Sequence, residues 1–324
     1  MKSLRFTFWL GLFATLLHGT LAFAAGSHIR VLLIDGESAG PYHNWQETTP
    51  ILKQELEETG LFDVTVATAP HADGDFSNFK PDFKSYQVVV SNLDSAQWPE
   101  ALRTEFETYM TNGGGLVVVH AANNAFPNWV AYNQMAGIGG WRGRTETAGP
   151  YWFMRDGKVV SDPTPGPAGR HGSRRPFQIT TRDPEHPIMK GLPSQWMHTN
   201  DELYGMLRGP GQNMTILATA HSDPENKGTG NDEPILMVLK FGKGRIFHTV
   251  IGHDPVALSC VGFMTTFQRG TEWAATGKVT QKVPANFPTA TIVSYRVDIA
   301  EKDPVFAKGT TVNPSAAPPA QPGK

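Results

Sequence analysis

Cysteine is almost absent from this chain of 324 residues, in which Cys260 is the only one. A single cysteine excludes an intramolecular disulfide, so the folded state has to be stabilised by a buried core. The apolar stretch near the amino terminus contains no cysteine, which also excludes a lipoprotein anchor.

An excess of charge of one sign is also missing. The chain has 28 Lys and Arg against 30 Asp and Glu, a net charge of −2, and no basic block stands out. Nucleic acid and anionic membrane surfaces are therefore not predicted as partners. We expect no nucleotide cofactor either, and the sequence leaves the oligomeric state open.

The first 24 residues have the pattern of a secretory signal peptide. Lys2 and Arg5 precede an apolar stretch over residues 6–17, and Ala22-Phe23-Ala24 is typical of a cleavage site. The apolar stretch is short and interrupted, which favours cleavage after about Ala24 over a retained membrane anchor. We therefore expect an exported protein, periplasmic or secreted, with no membrane attachment after cleavage.

The next part of the chain alternates strands and helices. Apolar runs predict strands, and amphipathic spacing predicts a helix that opens at Thr49-Pro50 and a second one over 98–110. This order predicts an α/β fold with a doubly wound, mainly parallel sheet flanked by helices. The predicted strands are 29–35, 62–67, 86–92 and 116–119.

The later part of the chain is less regular. Residues 136–175 are rich in Gly and Pro and predict a long irregular insertion of the kind that often carries function. Two strands joined by Gly242-Lys243-Gly244 predict a late β-hairpin, and a helix over 256–275 should follow it. We place one domain at 25–285 and a carboxyl-terminal extension at 286–324, disordered from about residue 303. The remaining predicted strands are 177–180, 214–220, 235–241 and 245–250.

The stretch around His120 is the first candidate for chemistry. Three glycines precede the apolar run Leu116–Val119, which suits a strand buried on both faces of a parallel sheet. His120 follows where this strand ends. Ligands of open α/β sheets bind beyond the carboxyl ends of the strands, so we predict His120 as a site residue.

Four short motifs in this order resemble the trehalose-utilisation (ThuA-like) family, whose fold is class I glutamine amidotransferase-like, related to flavodoxin-like sheets. The resemblance covers about residues 29–278 and implies a link to disaccharide or glycoside catabolism. In the amidotransferase superfamily the turn after this strand carries a nucleophilic cysteine, whereas this chain has His120. Glutamine hydrolysis is therefore not predicted. The motifs are the Gly-rich strand ending in His120, His186-Pro187-Ile188 with Gly191-Leu192-Pro193, Asp201-Glu202-Leu203-Tyr204, and Gly242–Phe247 leading to Gly252-His253-Asp254.

We predict that His43, His120, Glu202 and His253 form one site. Three imidazoles and a carboxylate suit a divalent metal such as zinc or manganese with one open position. The same groups would serve equally as general acid and base without metal. We assign His120, His253 and Glu202 as the catalytic residues in either case.

A small carbohydrate is the predicted substrate. Aromatic rings and amides in loops suit stacking and hydrogen bonding to a sugar, although a satellite core beneath the insertion explains such aromatics equally well. For the remaining histidines, a turn position is predicted for His186, a packed position for His248, and no role for His171, His198 and His221. The predicted substrate-binding residues are His43, Trp45, Asn123, Asn124 and Tyr204.

Two functions remain open from the sequence. The first is an exported enzyme that acts on a disaccharide, a glycoside or a keto-glycoside, the last by removal of a proton beside the ketone and elimination of the aglycone. The second is a non-catalytic carbohydrate-binding or interaction module that keeps the fold without the cysteine nucleophile. A serine hydrolase has little support, because no G-x-S-x-G motif is present.

Overall fold

A computed structural model of the chain describes residues 28–38 and 42–308. Eleven strands of this part form one sheet, and helices flank it. The predicted signal peptide lies outside the described residues, and none of the helices within them has the length and apolar character needed to cross a membrane. The strands are β1 (Ile29–Asp35), β2 (Phe62–Thr68), β3 (Val88–Ser91), β4 (Gly115–Val119), β5 (Tyr151–Arg155), β6 (Lys158–Asp162), β7 (Arg175–Thr181), β8 (Gln195–Asp201), β9 (Thr215–His221), β10 (Asp232–Phe241) and β11 (Gly244–Thr249), and the helices are α1 (Trp45–Glu57), α2 (Glu100–Thr111), α3 (Val130–Ala136), α4 (Pro255–Leu258), α5 (Val261–Thr276) and α6 (Val297–Ala300).

The sheet is mixed, and the prediction of a mainly parallel sheet holds only for one half of it. The strand order is β2-β1-β3-β4-β11-β10-β9-β7-β8, with the β5–β6 hairpin joined through β10. The five strands from β2 to β11 run parallel, whereas every pairing from β10 outwards is antiparallel. The reversal begins at the predicted hairpin, whose second strand β11 pairs with β4 while its first strand β10 faces the other way. The fold is therefore α/β with a large central sheet, and the doubly wound order is not reproduced across all of it.

Both faces of the parallel half are covered. In β4, Val117 and Val119 belong to the core beneath α1 and α5, while Leu116 and Val118 belong to the core beneath α2 and α3. Successive side chains of a strand point to opposite faces, so a continuous apolar run is what a strand buried on both sides requires.

Two predicted helices have different bounds. Helix α1 begins at Trp45, five residues before Pro50, the predicted first helical residue. The side chain of Asn44 accepts a hydrogen bond from the backbone of Gln46 at 3.2 Å and caps the first turn. The single helix predicted over 256–275 is broken into α4 and α5. Cys260 is extended at the break and bridges to Tyr295, so its backbone leaves the helix.

The insertion is more ordered than its composition indicates. It contains the β5–β6 hairpin, and two buried arginines hold it through backbone carbonyls. Arg144 donates to the carbonyls of Asn124 and Ala125, each at 2.7 Å, and Arg208 donates to that of Gly166 at 2.8 Å. These charge-assisted hydrogen bonds fix the insertion against the strand ends.

The chain beyond residue 285 packs on the domain. The backbone of Val261 donates to that of Ser294 at 2.9 Å, and Ile299 of α6 is fully buried in the core beside α5. Residues 303–308, which the sequence places at the start of a disordered tail, have described structure that includes the buried Asp303. The rest of that predicted tail lies outside the described residues.

Candidate functional site

His120 occupies a strained turn at the end of β4. Its φ of 44° lies in the left-handed region, which an L-residue with a side chain adopts only under constraint from its surroundings. The ring is buried, and its Nδ1 donates to the carbonyl of Val250 at 2.7 Å. That bond fixes the tautomer with a lone pair on Nε2, and this nitrogen has no hydrogen-bond partner among the described residues.

Glu202 and His253 meet His120 from two other strand ends. Glu202 follows β8, and His253 follows β11, which is the direct neighbour of β4. Oε2 of Glu202 lies 3.2 Å from Nδ1 of His253 and 3.9 Å from Nε2 of His120. The Nδ1 of His253 is buried and is not aligned for a hydrogen bond to that carboxylate.

His43 completes the cluster. Its ring centroid lies 5.0 Å from that of His120 and 4.8 Å from that of His253. Its Nε2 is 3.1 Å from the hydroxyl of Tyr204, whose ring packs 4.3 Å from His120. One nitrogen or oxygen from each of the four predicted residues lies within 4.8 Å of the others, so the structure brings together His43, His120, Glu202 and His253.

Asp201 holds the backbone of the loops that carry Glu202 and His253. Its buried carboxylate accepts hydrogen bonds from the backbone of Glu202 at 2.7 Å, of Gly252 at 2.8 Å and of His253 at 3.3 Å. A fourth bond comes from Nε2 of His198 at 2.8 Å. Asp201 therefore fixes the two loops that present Glu202 and His253.

Burial determines the charge of the cluster. It lowers the pKa of His43 to about 3, with the neighbouring His120 and His253 adding to the effect, and lowers that of His120 to about 4. Burial alone would raise the pKa of Glu202, but the adjacent imidazoles outweigh this effect and lower the pKa to about 2. At neutral pH His43 and His120 are therefore neutral and Glu202 is ionised, and these are the protonation states that metal ligands need.

A cavity of about 590 Å³ opens above the cluster. Its size falls within the range of small-molecule sites, about 300–1,000 Å³. The insertion contributes Trp141, Arg142 and His171 to its wall, and His171 lies 3.7 Å from Glu202. The other lining residues are Glu37, Tyr42, His43, Asp94, Asn124, Glu202 and Tyr204.

The predicted substrate-binding residues divide into two groups. His43, Asn124 and Tyr204 line the cavity. Asn123 is fully buried and lies 3.2 Å from Nε2 of His248, which is packed as predicted, so Asn123 does not belong to the cavity wall. Trp45 is the first residue of α1 and is half-buried away from that wall.

Sequence reasoning missed several of the cavity-lining residues, which come from the insertion and from the loops after β1 and β3. His171 received no role, and neither Glu37 nor the Asp94–Arg142 pair was singled out. No local motif marks these residues, because they come from loops far apart in the chain. A single signal was present: an insertion of forty residues between strands, which often carries function.

The fold and the site together define an α/β protein with a histidine–carboxylate cluster at the carboxyl ends of its parallel strands. The family model for trehalose utilisation, ThuA, matches residues 30–274. The chain belongs to the ThuA family. This family is consistent with a carbohydrate-related role.

Solved structures show the same relationship. A ThuA-like protein from Parabacteroides merdae ATCC 43184 is 47% identical with a TM-score of 0.80, over 83% of this chain and 98% of that one. A second ThuA-like protein, from Bacteroides uniformis ATCC 8492, is 19% identical with a TM-score of 0.55, over 81% of this chain and 97% of that one, and shows the fold alone. A search among curated proteins gives no match.

Proposed function

We propose that this ThuA-family chain is an exported carbohydrate-processing enzyme with a divalent metal held by His43, His120, Glu202 and His253. The observation that carries the proposal is the convergence of four ligand atoms within 4.8 Å from four separate segments. A binding module needs aromatic rings and amides for a sugar, whereas convergent buried imidazoles are typical of metal or acid–base chemistry.

The residues fit a metal on their own chemistry. Nε2 of His120 and Nδ1 of His253 are buried, and neither has a hydrogen-bond partner in the described part of the chain. An unpaired buried polar atom is costly, and coordination removes that cost. The bond from His120 to the Val250 carbonyl is the outer-shell contact that metal-bound histidines usually make. Zinc and manganese both accept this mixture of nitrogen and oxygen ligands.

Each residue has a role in this proposal. A bound divalent ion would supply Lewis-acid polarisation of a sugar oxygen. Tyr204 donates to or accepts from His43 and closes one side of the cavity. Glu202 is ionised at neutral pH and counterbalances positive charge at the cluster. The substrate is a disaccharide, a glycoside or a keto-glycoside, and for the last a neutral imidazole would remove the proton beside the ketone.

Metal analysis tests the proposal. The mature protein should contain about one equivalent of zinc or manganese after exposure to the metal, and His120→Ala and His253→Ala should each lose it. His221→Ala is the matched control, because His221 is exposed and pairs with Asp232 outside the cluster. Wild-type protein that takes up no metal, or cluster variants that retain it, would remove the metal from the proposal.

The same proposal includes export, which the amino-terminal pattern supports. Expression of the full chain in a Gram-negative host, followed by fractionation and mass measurement, should find a periplasmic protein that begins near Ala25. A cytoplasmic protein with an intact amino terminus would contradict it.

The alternative is a non-catalytic carbohydrate-binding or interaction module. The aromatic side chains in the cavity wall favour this alternative if the histidine–carboxylate cluster neither binds metal nor catalyses a reaction. Sugar binding without turnover of any disaccharide, glycoside or keto-glycoside by the metal-loaded protein would select it.

A further inference from the structure

The outer part of the cavity is built separately from the cluster. Its walls come from the loops after β1 and β3, which carry Glu37 and Asp94, and from the insertion, which carries Trp141 and Arg142. The two loops are bound to each other, since the backbone of Asp94 donates to that of Glu37 at 2.8 Å. The site thus has an outer region that does not contribute to the metal cluster.

Trp141 and Arg142 are held in an unusual backbone conformation. Their φ values are 49° and 46°, two consecutive left-handed residues that both carry large side chains. Such strain persists only where the surroundings impose it, and it concentrates at functional sites. Gly169 permits the arrangement, because a Cβ there would lie 2.6 Å from the Trp141 ring.

The charges in this region favour a neutral ligand. Arg142 is the only lysine or arginine in the described lining of the cavity, and its Nε donates to Oδ1 of Asp94 at 2.5 Å. Asp94 therefore neutralises it, and Glu37, whose Oε1 lies 3.3 Å from Nε2 of His71, adds a further carboxylate to the outer wall. A phosphate group would find no unpaired cation here. Carboxylates and a fixed guanidinium are well suited to sugar hydroxyls, which both donate and accept hydrogen bonds.

Aromatic rings continue from the cluster to the outer region. Tyr204 packs on His120, and the Trp141 ring lies 4.5 Å from that of Tyr204. Trp141 lines the cavity and is half-buried, so it offers an apolar surface against which a sugar ring can stack. A ligand that reaches the cluster with one ring can therefore place a second group against Trp141.

We propose that the insertion forms a second subsite for a neutral, unphosphorylated sugar unit, stacked on Trp141 and hydrogen-bonded by Asp94, Arg142 and Glu37. The inference deepens the proposed function, on which it rests. It predicts a substrate with two units, of which one reaches the cluster while the other fills the outer subsite.

Binding of neutral sugars by calorimetry tests this inference on the mature protein after exposure to metal. The probes are trehalose, maltose, cellobiose and lactose, with trehalose 6-phosphate as the charged counterpart. We expect at least one neutral disaccharide to bind, and we expect the phosphorylated sugar to bind at least tenfold more weakly than trehalose. Trp141→Leu should weaken the binding about tenfold, whereas Trp141→Phe, which keeps a ring, should retain most of it.

Trp152→Leu is the matched control. Trp152 lies in the same insertion, but its indole donates to the Gly209 carbonyl at 2.9 Å and does not line the cavity. Unchanged metal content in the Trp141 variants would show that the cluster is still assembled. Equal losses from Trp141→Leu and Trp152→Leu, or preferred binding of trehalose 6-phosphate, would overturn the inference.

The failures of the two proposals are distinguishable. Protein that binds metal but none of the neutral disaccharides overturns the second subsite and leaves the metal site. Protein that binds a neutral sugar through Trp141 but takes up no metal keeps the subsite and overturns the metal in the proposed function.

Discussion

Asp201 and Glu202 are neighbours in sequence, yet their carboxylates have opposite surroundings. Asp201 is buried and accepts four hydrogen bonds, three of them from the backbone. Glu202 faces imidazoles at 3.2 to 3.9 Å. A carboxylate whose lone pairs are all used can only position its neighbours. A carboxylate such as that of Glu202, which lies beside ring nitrogens without hydrogen-bond partners, remains available to bind a ligand.

Removing the carboxylate of Asp201, which accepts four hydrogen bonds, should have the largest effect on stability. Asp201→Ala leaves His198 and three backbone N–H groups without an acceptor, so we expect the free energy of unfolding to fall by about 3–5 kcal/mol. Chemical denaturation measures this value. Glu202→Ala is the matched control and should change the free energy of unfolding by less than about 1 kcal/mol. Equal effects of the two substitutions would contradict the different roles of the Asp201 and Glu202 carboxylates.

The carboxylate of Glu202, which is not fully hydrogen-bonded, should contribute to metal binding rather than to stability. Glu202→Gln keeps the shape of the side chain but removes the charge, and we expect metal affinity to fall by about 100-fold or more with little change in unfolding. Competitive titration against a chelating dye gives the affinity. A variant with wild-type affinity would assign Glu202 to structure rather than to the ligand set.

The smallest expected effect is on the pH dependence of metal-free protein. The pKa of His120 is lowered in the folded state to about 4, against 6.5 as its ordinary value, so the unfolded chain binds more protons between these pH values. Stability should therefore fall as the pH falls from 7 to 5, by roughly 2 kcal/mol from this residue.

Unfolding of His120→Ala over the same pH range isolates that contribution. The variant should show a flatter pH profile than wild type by roughly 2 kcal/mol between pH 7 and 5. His221→Ala, which removes an exposed histidine outside the cluster, is the control. A His120 variant with an unchanged slope would mean that this ring takes up a proton in the folded state as readily as in the unfolded one.

The sequence predicts the parallel half of the sheet well because its physical signals are local. Apolar runs such as Leu116–Val119 identify strands that are buried on both faces, and the end of such a strand locates His120. The residues His43, Glu202 and His253 come from the family motifs and from residue type, and the structure places them together.

The antiparallel half and the outer wall are not predictable in the same way. Strand β8 reads as polar in sequence, yet His198, Thr199 and Asp201 are all buried in it. Asp201 accepts hydrogen bonds from the backbone of Gly252 and His253, which lie 51 and 52 residues further along the chain, and no local pattern contains such bonds. Likewise, Trp141 and His171 reach the cavity only because Arg144 and Arg208 hold the insertion by carbonyls remote in sequence.

The pairing of β11 with β4 has a consequence for how the molecule is made. Thr249 lies opposite Val119, so the turn of His120 and the turn of His253 are assembled by a contact between segments 130 residues apart. Closing so long a loop is slow compared with local structure formation, and a growing chain that ends before β11 has no partner for the last strand of its parallel sheet. The cluster therefore forms only after β11 has paired with β4. A ligand specific for the assembled cluster would stabilise only the folded protein.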